Sequence, residues 1–369
     1  MSLVLSLRRI RNAGVWLAVI AALLAGTLHM LRGTAAGAWL SYYVKHQPLC
    51  ALESAGLRDP TRTYYSPSTG QTKGILRCAP SAPPRLAGGP LDRSLIVVSD
   101  MGGLVRRLAP DGHVVWQRRL WMPRGADVAA DRLYVLDGHT LNVLDVHDGR
   151  ELAQYPIAAD ALALRLVGDH AWIAQDGAGA GSLVEYALST DGLHEVRRYA
   201  LPLQGVRGLD VTADAIWIAD TLGQRVLKVD RATGAILASA ASYFPNSVDV
   251  VGDSVFVAEE HLNRVGEFST ALVRKPSRLG CSTVHGVLDV ATAKRQANQP
   301  GADGESRCRR RGGAQAADLF SPNDFARSPT LEYVADTDNH RIAAFRNGEF
   351  FAEVTGFNSP VNVLLLETP

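Results

Sequence analysis

The side chains that could contact a ligand recur at one position in a series of similar short stretches. That position is arginine or asparagine in most of the stretches. Leu162 and Val361 occupy the same position in the two remaining stretches, and Asn362 directly follows Val361. Guanidinium groups bind carboxylates through paired hydrogen bonds, and amides exchange hydrogen bonds with hydroxyl groups. If the stretches surround one opening, they predict a site for an anionic or hydroxyl-rich ligand, with a water-filled polar channel as the alternative. The predicted binding residues are Arg124, Arg207, Asn246, Asn323 and Asn362.

The same positions argue against catalysis at this opening. A calcium ion takes several oxygen ligands, usually with carboxylates among them, whereas these residues offer amides and positive charge. His285 is the only histidine that falls in register with them. The chain has no G-x-S-x-G, H-E-x-x-H or phosphate-binding loop motif. We therefore predict no catalytic residue, no metal and no cofactor, and the sequence favours a binding module over an enzyme.

The stretches are internal repeats, and they cover residues 123–137, 161–175, 206–220, 245–259 and 322–336. Each has a short apolar strand, a turn and a second apolar strand. Each second strand ends in one acidic or amide residue, namely Asp137, Gln175, Asp220, Glu259 or Asp336. Repeats of about 40 residues built from short strands are typical of a β-propeller, in which each repeat is one blade. One blade cannot bury both of its faces, so the blades must close into a ring.

Counting the repeats predicts an all-β, six-bladed propeller over residues 93–369. The blades are 95–120 with 359–367, 123–158, 161–202, 206–243, 245–280 and 322–357. The first blade lacks an opening strand, and the chain ends in one unpaired strand. The C-terminal strand is therefore expected to close the ring and leave no exposed edge. Residues 281–318 are interpreted as a polar insertion, because 291–318 hold no Val, Ile, Leu, Phe, Tyr or Trp. A degenerate seventh blade there stays open, since VHGVLDV (284–290) resembles VRGLDV (206–211).

The later blades resemble the NHL repeat. VADTDNHRIAAFRNG (334–348), with PND (322–324) before it, follows that pattern closely. IADTLGQRVLKV (218–229) and VAEEHLNRVGEF (257–268) are looser copies, and the earlier blades look more like PQQ-type or YVTN-type repeats. The resemblance implies a propeller but no single activity, because propellers include binding modules and enzymes alike. We expect the acidic ends of the second strands in the later blades to pair across the next turn, as scaffold, with Arg225, Arg264 and Arg341.

The N-terminus predicts export. Residues 1–13 form a basic tail with Arg8, Arg9 and Arg11, and residues 14–32 are predicted to be a transmembrane anchor, with a cleaved signal peptide as the alternative. Since arginines stay on the cytoplasmic side, the propeller is expected in the periplasm or extracellular space. Balanced charge, with 38 basic and 37 acidic residues, argues against a nucleic-acid partner.

The cysteine count agrees with export. The chain has four cysteines, and an even number in an exported chain is typical of disulfides. We favour Cys50–Cys78 and Cys281–Cys308, and no zinc site, because no C-x-x-C motif occurs. The first pair would staple a connector over residues 33–92 whose Pro- and Gly-rich end leads into the propeller as a linker.

These features together predict a membrane-anchored, extracytoplasmic propeller that binds a ligand or scaffolds other proteins. Its expected partners are the inner membrane, through the N-terminal helix, other membrane or periplasmic proteins, and an anionic or glycan ligand. The alternative is a hydrolase or lyase of the gluconolactonase type on the same fold. An enzyme should show clustered carboxylates or histidines with shifted pKa values at the central opening, and a binding module need not.

Overall fold

A computed structural model describes most of the propeller. It covers residues 83–99, 103–121, 123–157, 160–177, 180–189, 191–280 and 317–366, together with Gly26 and two short strands near residue 70. The predicted membrane anchor apart from Gly26, all four cysteines and nearly all of the predicted insertion lie outside these residues. Within the described part of the chain, no helix is both long and apolar enough to cross a membrane.

Six antiparallel sheets form the ring, and the prediction of six blades is confirmed. Blade 1 contains β4 (Ser94–Ser99), β5 (Leu104–Leu108) and β6 (Val114–Arg119). Blade 2 contains β7 (Pro123–Ala129), β8 (Arg132–Asp137), β9 (Thr140–Asp145) and β10 (Glu151–Pro156). Blade 3 contains β11 (Asp160–Val167), β12 (His170–Gly177), β13 (Ala180–Ser189) and β14 (Gly192–Leu203). Blade 4 contains β15 (Val206–Val211), β16 (Ala215–Asp220), β17 (Arg225–Asp230) and β18 (Ile236–Ala241). Blade 5 contains β19 (Pro245–Val251), β20 (Ser254–Glu259), β21 (Arg264–Ser269) and β22 (Arg274–Gly280).

Blade 6 follows the predicted insertion and packs directly against blade 5. It comprises β23 (Pro322–Arg327), β24 (Glu332–Asp336), β25 (Arg341–Arg346) and β26 (Glu349–Thr355). The Asn246 side chain of β19 donates a hydrogen bond to Asn323 of β23 over 2.9 Å. Because the inner strands of blades 5 and 6 are neighbours, no seventh blade stands between them.

The C-terminal strand closes the ring as expected. The last strand, β27 (Pro360–Leu366), pairs antiparallel with β4, from Pro360 opposite Ser99 to Leu366 opposite Ser94. It is therefore the inner strand of blade 1, whose other three strands come from the start of the propeller. This pairing joins the two ends of the repeat array through backbone hydrogen bonds and removes an exposed inner edge.

The predicted linker contributes a strand of its own. β3 (Arg85–Gly88) pairs antiparallel with β26 and becomes the fifth, outermost strand of blade 6. The interpretation of this end of the connector as a linker is wrong for these residues. Pro and Gly residues around the strand suggested a linker, but the free outer edge of β26 provides backbone partners. Further toward the N-terminus, β1 (Tyr64–Ser66) and β2 (Gln71–Lys73) form a two-stranded sheet.

The apolar core lies between the blades. One large aromatic side chain stands at the same position of the second strand in five blades, and all five are buried: Tyr134, Trp172, Trp217, Phe256 and Tyr333. Each packs with side chains of the adjoining blades. The Phe256 ring, for example, stacks on Phe325 with 4.9 Å between centroids. Burial of such rings between blades contributes hydrophobic stabilisation to a ring whose blades cannot fold alone.

The acidic ends of the second strands are structural clamps, as the repeat pattern predicts. The Nε of Arg225 donates to Asp220 over 2.9 Å, and the Nε of Arg341 donates to Asp336 over 2.7 Å. The Asp220 carboxylate also accepts from the backbone N–H of Gln204, so it ties the second strand to the segment that enters the blade. The carboxylates are completely buried and fully used, which makes them scaffold rather than ligand contacts.

Candidate functional site

The inner strands β7, β11, β15, β19, β23 and β27 surround a central channel. The channel holds a cavity of about 800 Å³. That volume falls in the range of small-molecule sites in proteins. The cavity runs from the starts of the inner strands toward the turns that follow them, and it is lined by side chains from all six blades.

A β-bulge at the start of each inner strand decides which side chains reach the cavity. In every blade the pairing between the first and second strands shifts by at least one residue at this point. In five blades the unpaired residue is the position identified from the repeat pattern, and in blade 2 both Arg124 and Gly125 are unpaired. We call these six residues the rim: Arg124, Leu162, Arg207, Asn246, Asn323 and Val361. Because a bulge changes the alternation of side chains along a strand, the residues beyond the rim form the channel wall.

Two layers of side chains follow the rim, one residue and three residues further along each strand. The upper layer holds Gly125, Ala163, Gly208, Ser247, Asp324 and Asn362, and all six line the cavity. The lower layer holds Asp127, Arg165, Asp210, Asp249, Ala326 and Leu364, and all but Asp210 line the cavity. Since the rise is about 3.3 Å per residue, the two layers lie about 6.6 Å apart along the strands.

The structure brings together three of the five predicted binding residues at the rim. Asn246 accepts from Arg207 over 3.4 Å, and it donates to Glu260 and to Asn323, each over 2.9 Å. The Asn323 amide in turn donates to Thr337 over 2.7 Å. These bonds form a belt across blades 4, 5 and 6, so the asparagine amides are already occupied by one another.

The other two predicted binding residues lie apart from this belt. Asn362 belongs to the upper layer, where its amide donates to Asp324 over 3.3 Å. Arg124 is half-buried at the rim of blade 2. Glu260 lies 3.6 Å from the Arg207 guanidinium and offsets its charge. The rim is therefore closer to neutral than the sequence suggested, although its ligand preference stays a prediction.

The carboxylates of the channel wall were not predicted from the sequence. The rim positions hold no acidic residue, but four aspartates lie in the two layers below. Three of them share one column of the repeat, as the central residues of Ala-Asp-Val (126–128), Leu-Asp-Val (209–211) and Val-Asp-Val (248–250). This recurrence was the available signal. The bulge that turns the column into the channel cannot be read from the repeat pattern alone.

Three of the four carboxylates fasten neighbouring blades to one another. Asp127 accepts from the backbone N–H of Leu166 over 2.8 Å, Asp210 from that of Val250 over 2.7 Å, and Asp324 from that of Val363 over 3.0 Å. The bonds link blade 2 to 3, blade 4 to 5 and blade 6 to 1. Asp127 and Asp210 each accept a second bond from the N–H of the next residue in their own strand. These carboxylates hold the inner strands in register around the channel.

One arginine, Arg165, lies among the three aspartates of the lower layer. The Nε of Arg165 lies 2.9 Å from Asp210 and 3.8 Å from Asp127, and its terminal nitrogen lies 4.0 Å from Asp249. Burial opposes the charge of this guanidinium, but the surrounding aspartates outweigh burial and raise its pKa. Arg165 is therefore a fixed cation at the centre of the channel.

Asp249 differs from the other three carboxylates. Among the residues that the structure describes, no group donates a hydrogen bond to it, and its side chain is 22% exposed. Burial, followed by repulsion from Asp210, raises the pKa of Asp249 to about 7, against the opposing effect of Arg165. Burial likewise raises the pKa of Asp324 to about 6, although that carboxylate accepts hydrogen bonds from Val363 and Asn362. The channel thus contains carboxyl groups that titrate near neutral pH.

Small residues of the upper layer allow the blades to approach closely. A Cβ added at Gly208 would lie 2.5 Å from the Ser247 Cα, and one added at Gly125 would lie 2.8 Å from the Leu162 carbonyl oxygen. Both contacts are with the backbone of the next inner strand, which cannot move aside. Glycine at these two positions therefore sets the width of the channel.

The aspartates of the lower layer do not form a metal site with the other described residues. Among the described residues, no three His, Cys, Asp or Glu side chains are grouped closely enough to hold a metal ion. Most carboxylate oxygens of the layer already accept backbone N–H groups, which compete with metal ligation.

Comparison with known proteins shows the fold alone. No family model matches this chain, and no curated protein matches it. The NHL-repeat family therefore stays a resemblance. A protein of unknown function from Bacteroides caccae superposes with a TM-score of 0.57 at 12% identity, over 76% of this chain and 100% of that one.

Two further solved structures from Bacteroides have a similar fold. Each bears the provisional name of a 6-phosphogluconolactonase. The protein from Bacteroides uniformis has a TM-score of 0.51 and 14% identity, over 74% of this chain and 99% of its own. The protein from Bacteroides fragilis has a TM-score of 0.52 and 12% identity, over 74% of this chain and 98% of its own. These likenesses support a β-propeller and leave its activity open.

Proposed function

We propose that this protein is a ligand-binding propeller whose central channel receives a small polar molecule. The observation that carries the proposal is the cavity of about 800 Å³, which has charged side chains of Asp127, Arg165 and Asp249 in its wall. A concave site with a few convergent polar groups on rigid strands is the usual form of a small-molecule site.

The wall is preorganised for binding. Asp127, Asp210 and Asp324 are held by backbone N–H groups of the neighbouring blades, and Asp210 holds Arg165 in turn. A ligand that enters such a site does not have to order the side chains that contact it, so less of the interaction free energy is lost. The rim belt of Arg207, Asn246 and Asn323 would frame the entrance.

The proposal is tested by a ligand-observed NMR screen of small cations, anions and neutral polyols. Ala326→Phe places a ring in the lower layer and should abolish saturation transfer to any bound compound. Ala213→Phe is the matched control, because Ala213 lies on an exposed turn outside the cavity wall. Circular dichroism should show that both variants fold. No binding by the wild-type protein, or equal binding by Ala326→Phe, contradicts the proposal.

A hydrolase or lyase is the second candidate, and one observation favours it. Clustered carboxylates with raised pKa values were the expected mark of an enzyme, and the channel contains them. With a pKa of about 7, Asp249 is suited to accept and return a proton at neutral pH. This candidate predicts lactone hydrolysis that Asp249→Asn lowers by about 100-fold or more, as is typical for loss of a general base. A pH-stat assay with a lactone panel tests it, and absence of turnover excludes that substrate class.

We further propose that the propeller is tethered outside the cytoplasm, through the apolar run at residues 14–31. Arg8, Arg9 and Arg11 support this orientation, since basic residues flank the cytoplasmic end of membrane helices. An alkaline phosphatase fusion after residue 92 should be active only if this part of the chain is exported. An inactive fusion, with four reactive thiols in the unreduced denatured protein, would contradict the proposal.

A further inference from the structure

Asp249 is the carboxyl group of the channel with unused hydrogen-bonding capacity. Asp127 and Asp210 each accept two backbone N–H groups, and Asp324 accepts from Val363 and Asn362. Among the described residues, the cation paired with Asp249 is the Arg165 guanidinium, at 4.0 Å, and Asp249 lines the cavity. Its two oxygens can therefore accept hydrogen bonds from a molecule in the channel.

A second polar side chain lies close to Asp249. The Ser247 side chain lies one layer above Asp249 on the same strand, and the residue is only 7% exposed. Its hydroxyl has no hydrogen bond of ordinary geometry among the described residues, but it lies near enough to the Asp324 carboxylate to lower the pKa of that group. The Ser247 hydroxyl oxygen can therefore accept a hydrogen bond from a molecule in the channel, as the Asp249 carboxylate can.

The charge around this point is negative. Asp127, Asp210, Asp249 and Asp324 face the single guanidinium of Arg165. Three arginines nearer the channel ends are engaged elsewhere: Arg207 with Glu260, Arg327 with Glu332 at 3.9 Å, and Arg107 with the carbonyl oxygens of Val146 and His147. An anion at Asp249 would meet like charge in the channel, whereas a cation would offset it.

The part of the lower layer that follows Asp249 around the ring is apolar. Blades 6 and 1 contribute Ala326 and Leu364, both half-buried and both in the cavity wall. The channel therefore presents a hydrocarbon surface next to a carboxylate. This arrangement complements a molecule with a positively charged head and a short alkyl part.

We propose that the channel binds an organic ammonium ion, with the ammonium group at Asp249 and Ser247 and its alkyl part against Ala326 and Leu364. The inference rests on the proposed function and names the ligand class of that same channel. The ammonium group donates to the Asp249 carboxylate and to the Ser247 hydroxyl oxygen, and Arg165 stays paired with Asp210. No covalent step is involved.

Binding of a cation should release a proton. Asp249 is faced by Asp210 from blade 4, Asp324 from blade 6, and Arg165 and Asp127 across the channel, and its pKa is about 7 without a ligand. A bound ammonium ion favours the ionised carboxylate and so lowers this pKa. Ammonium affinity should therefore rise as the pH increases from 6 to 8.

The test uses three probes of similar shape and different charge: n-butylammonium chloride, 1-butanol and sodium butyrate. Isothermal titration calorimetry is done on the solubilised full-length protein, in two buffers with different ionisation enthalpies. We expect butylammonium to bind most tightly and to release protons at pH 7. Asp249→Asn should weaken butylammonium binding by about tenfold or more, the equivalent of one charge-assisted hydrogen bond, and should abolish the proton release.

Asp253→Asn is the matched control, because Asp253 lies on the exposed turn of the same blade and outside the cavity wall. It should bind butylammonium as the wild type does. Equal binding of 1-butanol, tighter binding of butyrate, or an unchanged affinity in Asp249→Asn would each overturn the inference.

Failure of the inference can be told apart from failure of the proposed function. If none of the three probes binds but neutral polyols or anions from the NMR screen still require the open channel, the ammonium class is wrong and the binding module stands. If no compound of any class binds, the proposed function fails as well.

Discussion

Two carboxylates of blade 5, on adjacent strands, have opposite electrostatic surroundings. Glu259, at the end of β20, has no exposed side-chain surface and lies 2.7 Å from both Arg264 and Arg274. Burial alone would raise its pKa, but the two arginines outweigh burial and hold it at about 2. Asp249, on β19, shares one arginine with other carboxylates, and its pKa is about 7.

The difference separates a structural site from a candidate binding site. Charges and hydrogen bonds are balanced within the protein at Glu259, where Ser242 also donates to the carboxylate over 2.8 Å. At Asp249 they are not, since no group in the described part of the chain donates a hydrogen bond to it and Arg165 lies 4.0 Å away. A raised pKa marks a functional position when it comes from such incomplete compensation beside a cavity.

Loss of the Glu259 carboxylate, which pairs with two arginines, should have the largest effect on stability. Glu259→Gln leaves Arg264 and Arg274 buried without a countercharge, and we expect a loss of about 3–5 kcal/mol in the free energy of unfolding. Because the pKa of Glu259 is lowered in the folded state, its contribution is present above its ordinary pKa and disappears as the pH falls toward 2. Urea denaturation from pH 3 to pH 7 measures this. A loss below 1 kcal/mol would contradict the comparison.

Asp210→Asn should have an intermediate effect. The change removes the charge that pairs with Arg165 and alters an oxygen that accepts from the Val211 or Val250 backbone. We expect a loss of about 2 kcal/mol, because hydrogen bonds to charged groups contribute about 1.5–3 kcal/mol each. Thermal denaturation at pH 7 tests this, and a stability equal to that of the wild type would show that the connection between blades 4 and 5 does not depend on the carboxylate.

Asp249→Asn should stabilise the protein, in contrast to the two changes above. A raised pKa in the folded state means that the stability associated with Asp249 is complete below its unfolded pKa of 3.8 and falls as the pH rises through about 7. The neutral amide avoids that loss, so we expect a gain of about 1–2 kcal/mol at pH 8 and little change at pH 4. Denaturation at the two pH values measures the difference. A destabilised variant at pH 8 would indicate that Asp249 is compensated after all.

An exposed ion pair should give the smallest effect. Arg198 lies 2.6 Å from Glu195 on the outer strand of blade 3, and both side chains are more than 40% exposed. Arg198→Ala is expected to cost less than about 1 kcal/mol, since solvent screens such pairs. A larger loss, measured by urea denaturation at pH 7, would mean that burial does not explain the contrast between Glu259 and Asp249.

The repeat pattern was sufficient to predict the architecture. Six blades, the closing strand 360–366 and the arginine clamps at Asp220, Glu259 and Asp336 all follow from local rules. The strand period, the recurring turns and the missing first strand can all be recognised in the sequence. Ring closure follows because no blade can bury both of its faces alone.

The channel wall was decided by the tertiary structure. Because of a one-residue bulge in β19, Ser247 and Asp249 line the channel wall instead of Asn246. The outer edge of β26 pairs with residues that were predicted to be a linker, and these residues form β3. Both outcomes depend on how strands from distant parts of the chain pair, which a local pattern does not contain. Burial within the ring raises the pKa of Asp249, aspartates of blades 4, 6 and 2 raise it further, and Arg165 of blade 3 opposes them. The sequence by itself determined where the aspartates stand in each repeat, and only the closed ring brought them within reach of one another and of a single arginine.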